Sequence, residues 1–420
     1  MSSIRRVAYT GYVLLSISFF IGFFHRFSPA GFSNEIALSL GLSITALGGL
    51  AAIHFWVYTL MQVPAGLMVD RFGIRLNSAT GTFLTGVGSI VLSQADSYLA
   101  ALIGPALVGV GMSAVFVGVM KYNSMAFNAH IYGLITGITM LIGTLGSFMS
   151  GAPSALLLGV FDWRSIFLWV GIITILLSIL IFIFVSDYCD THKVNSQNNG
   201  SIIENLLLIL RSRQIIFLLL CTAGTNGTFY AFAGLWGAPI LTDGFNLNSD
   251  NALVFISSSL LVYGVFSLFL GILSDFFKAR KPFLIGASFI GVMAWILIIF
   301  YNWVPYFSGF IIYLMLGLSA SQVVVAFSSV KESVPINNVG SSLAFVNMGV
   351  FLVSAIVQFL IGYLIDILEP SASLSVGYNL NTYKMALLVS LLFSVVGLVC
   401  SIKLKETYPS SRKASFGSSD

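Results

Sequence analysis

Charge is what this chain has least of. Only 8% of its 420 residues are Asp, Glu, Lys or Arg, against about 25% in ordinary soluble domains. So few charged groups cannot cover a water-facing surface, so lipid must solvate much of the chain. A mean hydropathy of +0.97 says the same. Cysteine is scarce too. Cys189, Cys221 and Cys400 are odd in number and unrelated by spacing, which argues against a disulfide framework or a thiolate metal centre. The four histidines, His25, His54, His130 and His192, show no ligand spacing either. No nucleophile–base pair and no phosphate-cradling loop stands out, so no enzyme activity, metal or cofactor is expected. The net charge of +4 follows the membrane rather than a basic patch, and no nucleic-acid partner is expected.

Long apolar runs are what the chain does have. A spanning helix needs about 20 mostly apolar residues. Windows of that length fall at 7–30, 44–67, 77–95, 98–120, 131–157 and 165–186, then at 214–238, 252–273, 283–301, 304–328, 340–366 and 383–402. They are continuously apolar rather than alternating, which predicts helices and not barrel strands. The basic residues fix an orientation. With the N-terminus inside, 16 of the 19 Lys and Arg fall on inner segments, leaving Arg26, Arg164 and Lys384 for the outer half. The expectation is an all-α integral membrane protein of twelve transmembrane helices in two six-helix pseudo-repeats. Both termini are expected to be cytoplasmic, and the first helix to serve as its own targeting signal. The polar stretch around DYCDTHKVNSQNNGS divides the chain. The expected domains are a bundle over 1–186, a linker over 187–213, a second bundle over 214–403 and a Ser-rich tail over 404–420.

The two halves repeat one another. GLMVDRFGIR (Gly66–Arg75) follows the second window and GILSDFFKARK (Gly271–Lys281) follows the eighth. Gly66 matches Gly271, Asp70 matches Asp275, Arg75 matches Arg280 and Tyr58 matches Tyr263, all at an offset of 205 residues. Repeated halves characterise secondary transporters, with the solute site near the midplane between them.

GLMVDRFGIR resembles the loop signature of the major facilitator superfamily. FDWRSIF (Phe161–Phe167) is similar to its Trp-Arg-x-x-Phe element, and GTLGSFMSGAP (Gly143–Pro153) to its Gly/Pro-rich fifth span. The surroundings of Arg26, QVPAG at Gln62–Gly66 and SVKESVP at Ser329–Pro335 are similar to bacterial organic-solute and organic-anion carriers. Two departures stand out. Pro105 precedes the LVGVG run (Leu107–Gly111) where the family usually carries an Arg tied to proton coupling. The Pro-Gly pair of antiporter-type fifth spans is not cleanly present. The resemblance implies a conformational latch on the cytoplasmic side, built from Gly66, Asp70, Arg71, Gly73 and Arg75 with Asp275 and Arg280. Asp70 and Asp275 could each face a helix N-terminus or pair with a nearby Arg. Loop solubility and topology are the plainer explanation. Gly66 and Gly73 would permit close helix approach and a tight turn.

The resemblance also implies that spans 1, 4, 7 and 10 line a central cavity. Polar residues there are candidates for substrate binding, because ionisable groups inside a membrane are costly. Span 1 offers His25 and Arg26, whose planar fork suits a carboxylate or phosphate; snorkelling to the interface is its alternative. Span 2 carries His54, Tyr58 and Gln62 along one stripe. Span 7 carries Asn226, Tyr230 and Trp236 among Gly224, Gly227 and Gly234, which could let the helix bend. Gln322, Asn347 and Gln358 follow; interhelical hydrogen bonding explains such amides equally well. The substrate-binding candidates are Arg26, His25, Tyr58, Asn226, Tyr230, Trp236, Gln322 and Asn347. No Asp or Glu sits mid-span, so coupling to a proton, a candidate second cargo, would fall to His25, His54 or the substrate itself, or to Glu35 and Asp243 reaching in from the outer ends; Lys121 is a further coupling candidate, with a positive-inside anchor as its alternative.

These readings converge on a monomeric carrier in a cell membrane, with a bacterial inner membrane expected. It would move a small polar organic solute by alternating access, secondary active or facilitative. A carboxylate, an amino acid or a phosphorylated metabolite are the anionic candidates. An exporter of a metabolite, drug or siderophore-like compound, or a transporter-like receptor, remains the alternative.

Overall fold

A computed structural model describes residues 2–127, 129–186, 211–334, 339–370 and 377–408. Every expected window falls on helix, and no strand occurs among the described residues. Cys189, His192 and the stretch 187–210 of the expected linker lie outside them, as does 409–420 of the tail. The helices in the first half are α1 (Ser2–Leu40), α2 (Ile44–Ser93), α3 (Tyr98–Ala126), α4 (Ala129–Met149), α5 (Ala152–Leu158) and α6 (Trp163–Phe184). In the second half, α7 (Arg213–Thr222) and α8 (Thr228–Ala231) are interleaved with π-helical turns at Ala223–Gly227 and Phe232–Trp236. Then come α9 (Pro239–Phe245), α10 (Ser249–Phe276), α11 (Lys281–Phe300), α12 (Phe310–Ala320), α13 (Val323–Ser333), α14 (Val339–Leu368), α15 (Leu380–Ala386) and α16 (Leu388–Lys403).

Among the described residues, ten helices are long and apolar enough to cross a membrane. The count is eleven if Gly137–Met149 and Ala152–Leu158, bent by 46°, form one span. That bend falls at Ser150–Gly151, inside the Gly/Pro-rich stretch. The remaining window, 77–95, lies on the second arm of α2. A helix of 50 residues would run about 75 Å at 1.5 Å per residue, far beyond a hydrocarbon core of about 30 Å. Gly73 breaks it with φ 81° and ψ 172°, a conformation that a Cβ would strain.

The helices are patterned for lipid. On α6 the small and polar Gly171, Thr174 and Ser178 are buried with Phe167 and Ile181. Trp169, Ile173, Leu176, Leu180 and Ile183 face outward. Large apolar groups gain nothing by leaving hydrocarbon, so seams are made where backbones can approach. Glycines meet in reciprocal pairs. A Cβ at Gly111 would stand 2.3 Å from the Gly81 carbonyl oxygen, and one at Gly81 would stand 2.6 Å from that of Gly111. Gly88 and Gly104 repeat this between α2 and α3, and Gly86 and Gly171 between α2 and α6.

By packing, the chain forms two compact units that cut across the second sequence half. One comprises Met1–Cys189, Ala231–Leu261 and Gln358–Ala386; the other comprises Asp190–Tyr230, Val262–Val357 and Leu387–Asp420. In the first unit, pieces of α10, α14 and the second π turn pack on the first-half helices. The Thr45 backbone N–H and hydroxyl both donate to Asp366 Oδ2, the former over 3.2 Å. A carboxylate near the end of α14 therefore caps the first turn of α2. The Ala152 N–H donates to Ser257 Oγ at 2.6 Å. In the second unit, Ile215, Leu218, Cys221, Leu284, Val325 and Val346 form an apolar core.

Arg164 explains the Trp-Arg-x-x-Phe element. Its guanidinium donates to the carbonyls of Ser93 (3.0 Å) and Ala95 (2.7 Å), the unpaired end of α2. It also lies over the Trp163 ring at 4.5 Å. Charge-assisted bonds of this kind contribute about 1.5–3 kcal/mol. Arg164→Ala is therefore expected to lower the thermal midpoint of the purified protein by several degrees; an unchanged midpoint would show that the α2 end is held by other contacts.

Candidate functional site

In the first unit the polar residues of spans 1 and 2 converge. Pro29 lies inside α1 and has no N–H to give the His25 carbonyl. The Ser28 hydroxyl donates to that carbonyl instead, at 3.0 Å, which keeps the backbone satisfied beside the site. Arg26, one residue on from His25, is only 4% exposed. Its guanidinium carbon lies 4.2 Å from the Phe23 ring centroid and 5.1 Å from that of Tyr58. This is a cation held between aromatic faces rather than one snorkelling outward. The expected stripe is buried along its length: His54, Tyr58 and Gln62 are all inside, and His54 stacks on Tyr58 at 6.0 Å.

Arg26, His25, His54, Ser28, Ser33 and Pro105 share a cavity with apolar neighbours from α1, α2 and α3. Its volume is about 30 Å³, room for a water or two and too small for an organic solute. No acidic side chain lines it. Pro105, at the position where the family usually carries a coupling Arg, is part of the wall, so the charge here comes from α1. The His54 ring lies against the Pro105 backbone, and His25 Nε2 has no hydrogen-bond partner among the described residues.

The second unit carries the repeat partner. Tyr230 and Tyr263 stand at the 205-residue offset from His25 and Tyr58. Their hydroxyls share a hydrogen bond of 2.8 Å, with Phe229 and Phe351 packed around them. Asn226 and Gln322 are spent on the fold. Asn226 Nδ2 donates to the Ala320 carbonyl at 2.7 Å, holding the end of α12 where span 10 breaks. Gln322 Nε2 donates to Thr225 Oγ1, and its Oε1 accepts from Ser288 at 3.3 Å. Both amides thus take the interhelical alternative. Asn347 is 9% exposed and its Nδ2 has no hydrogen-bond partner. Trp236 belongs to the first unit. It is buried, not at an interface: its indole donates to the Gln358 carbonyl at 3.2 Å, against notches at Gly48 and Gly362. Two of the three π turns among the described residues fall on the glycine-bearing segments of span 7, and the third is at Pro305–Gly309; irregular helix of this kind often lies near sites of function. Lys121 is half-buried near the end of α3.

Of the latch residues, those of the second copy form a cluster around Arg280. Arg280 pairs with Asp275 at 2.7 Å and with Glu332 at 2.8 Å, and donates to Ser274 Oγ at 2.6 Å. Glu406 accepts from the backbone N–H groups of Arg280, Lys281, Thr407 and Tyr408 at 2.9–3.0 Å. Thr407 Oγ1 closes the cluster on Glu332 at 3.0 Å. In the first copy Arg75 lies over the Phe182 ring at 4.5 Å, and Arg71 is exposed. The Asp70 side chain is outside the described residues. Gly73 makes the expected turn. The close approach expected at Gly66 is not seen, since among the described residues nothing stands within 4 Å of a Cβ built there. Glu332 was visible within SVKESVP. Nothing in the sequence marked Glu406, which is 126 residues from Arg280.

The sequence pattern of the Major Facilitator Superfamily matches residues 14–255 and again 227–418. The chain belongs to that superfamily. Its long apolar helices make it a multi-pass membrane protein of that superfamily. Superfamily relatives include a putative tartrate transporter of Agrobacterium vitis, 25% identical over 59% of this chain and 59% of the relative. A probable L-galactonate transporter of Escherichia coli is 23% identical over 58% and 56%. The matched stretches thus span little more than half of each relative. Among solved superfamily structures, an inward-facing bacterial homolog of the human lysosomal transporter Spinster aligns with a TM-score of 0.78 at 14% identity, covering 94% of this chain and 96% of that one. A D-xylose–proton symporter aligns at 0.71 with 15% identity, over 96% and 98%.

The Arg280 cluster has a defined pH dependence. Burial works against the Arg280 charge, but Glu332 and Asp275 outweigh it and raise its pKa. Burial would likewise raise Glu406; the four N–H donors outweigh it and hold its pKa below the usual carboxylate value. A carboxylate depressed in the folded state stabilises above its unfolded pKa, and loses that contribution as pH falls through its folded pKa. Glu406→Gln is therefore expected to lower the thermal midpoint at neutral pH and to flatten its fall on acidification below about pH 4.5. An identical acid limb in both proteins would remove Glu406 from the cluster's energetics.

Proposed function

We propose that the protein is a secondary carrier for a small organic anion, with Arg26 holding the substrate carboxylate. The observation that carries this reading is the buried guanidinium between Phe23 and Tyr58, in a cavity whose lining is neutral or basic. A substrate carboxylate would meet the planar fork of this guanidinium with two parallel charge-assisted bonds. Relatives described as tartrate, L-galactonate and sulfoacetate transporters, all carriers of organic anions, support the same class. His54 is the coupling candidate. A proton there would add a second positive charge beside Arg26, so anion and proton favour each other's binding, which is the requirement of symport.

Alternating access follows from the repeat. With the Gly73 break, the two arms of α2 count as separate crossings, giving twelve spans and two cytoplasmic termini. In that orientation the Thr45–Asp366 cap and the Trp236 wedge lie toward the outer face. They part when solute enters from outside, while the Arg280 cluster and the Asp70 loop serve the cytoplasmic side. A cytoplasm-only reporter fused after Gly200 or Lys405 is expected to be active, and one fused after Asp96 inactive; activity at Asp96 would overturn the span count.

The test of the site is a binding isotherm with organic acids for wild type, Arg26→Lys and Arg26→Ala in detergent. Loss of the charge-assisted contact is expected to weaken binding about ten- to hundredfold in the Ala variant. Lys should recover only part of it, because an ammonium lacks the planar fork. Equal affinity in all three would remove Arg26 from the site.

A further inference from the structure

Gln358, on α14, is fully buried. Neither its Oε1 nor its Nε2 has a hydrogen-bond partner among the described residues. Its backbone is already committed, since its carbonyl accepts the Trp236 indole. The side-chain amide is therefore not needed to hold the residue in register. The amide lies where the second π turn crosses α1. A Cβ at Gly234 would stand 3.1 Å from Gln358 Nε2, 3.7 Å from Phe27 Cδ1 and 4.0 Å from the Arg26 carbonyl oxygen. The absence of a side chain at 234 is what makes room for the amide beside the Arg26 backbone. The contrast with Asn226 and Gln322, whose amides are bonded within the protein, is direct.

A buried amide with no partner in the fold destabilises the protein that carries it. A carboxamide presents one acceptor and two donors from a single plane. A hydroxyl, donor and acceptor at once, is its complement. We propose that Gln358 is a specificity-determining contact of the substrate site, reading a hydroxyl of a hydroxy acid whose carboxylate is held by Arg26. The proposal rests on the organic-anion reading above and narrows it from carboxylates in general to hydroxylated ones. A deoxy acid leaves the amide unpaired in the bound state, and sites built to bond a hydroxyl reject analogues that lack it.

The test uses purified full-length wild type and Gln358→Met, an unbranched apolar replacement of similar length. Binding is measured for matched pairs: tartrate and succinate, lactate and propionate, glycerate and propionate. Wild type is expected to prefer the hydroxy acid of at least one pair by about tenfold or more. Gln358→Met should abolish that preference by weakening the hydroxy acid alone. Its ligand-free thermal midpoint should equal or exceed that of wild type, because an unsatisfied amide has been removed. A preserved preference, an equal loss for both acids of a pair, or a ligand-free midpoint lowered by several degrees would each overturn the proposal. If no acid binds wild type, the organic-anion reading falls and the proposal with it; if binding depends on Arg26 but the ratio is unchanged in Gln358→Met, Gln358 alone is rejected.

Discussion

Inside a bilayer every backbone N–H and C=O must find its partner within the protein, and the rest of this structure follows from that constraint. It forces continuous helices over the apolar windows. It explains the substitute bonds at three helix irregularities or ends: Ser28 serves the carbonyl that Pro29 leaves unserved, Asn226 the end of α12, and Arg164 the end of α2. It also sets the packing. Lipid gives large side chains little reason to turn inward, so close seams belong to glycines such as Gly81 and Gly111, and many serines and amides are buried among the apolar side chains.

A charged interior in so apolar a molecule is costly, and the cost is concentrated. Arg280 is the centre of a fully bonded cluster whose partners raise its pKa. Arg26 is treated differently: aromatic faces, two histidines and a small cavity surround it. One environment secures an arginine in carboxylate contacts; the other sets one against aromatic rings beside a small cavity. Nearby, His25 Nε2 and the Gln358 amide are buried without a hydrogen-bond partner among the described residues.

Much of this was legible in the sequence. Hydropathy marked the long helices, though not the short α9, and the 205-residue offset marked the repeat. The stripe His54–Tyr58–Gln62 and the buried Arg26 were predictable because helical periodicity and the cost of charge in hydrocarbon are local rules. What escaped was long-range. Asp366 meets Thr45 across 321 residues, and Glu406 meets Arg280 across 126; no periodicity in one chain encodes such pairings. Amides were ambiguous for the same reason. Asn226, Gln322 and Gln358 look alike as letters, and only their neighbours separate two structural groups from one left unbonded. Gly66 failed in the opposite sense, since a motif glycine implied a close approach that the described residues do not make.

The central claim is that a hydroxylated organic anion crosses by alternating access through one site. Counterflow tests it most directly. Proteoliposomes are preloaded with an excess of an unlabelled hydroxy acid, and uptake of the labelled acid is followed at tracer concentration. The account predicts a transient accumulation above equilibrium, because an occupied carrier returns loaded with label. Uptake that is indifferent to the internal acid, or no uptake of any organic anion, would contradict it.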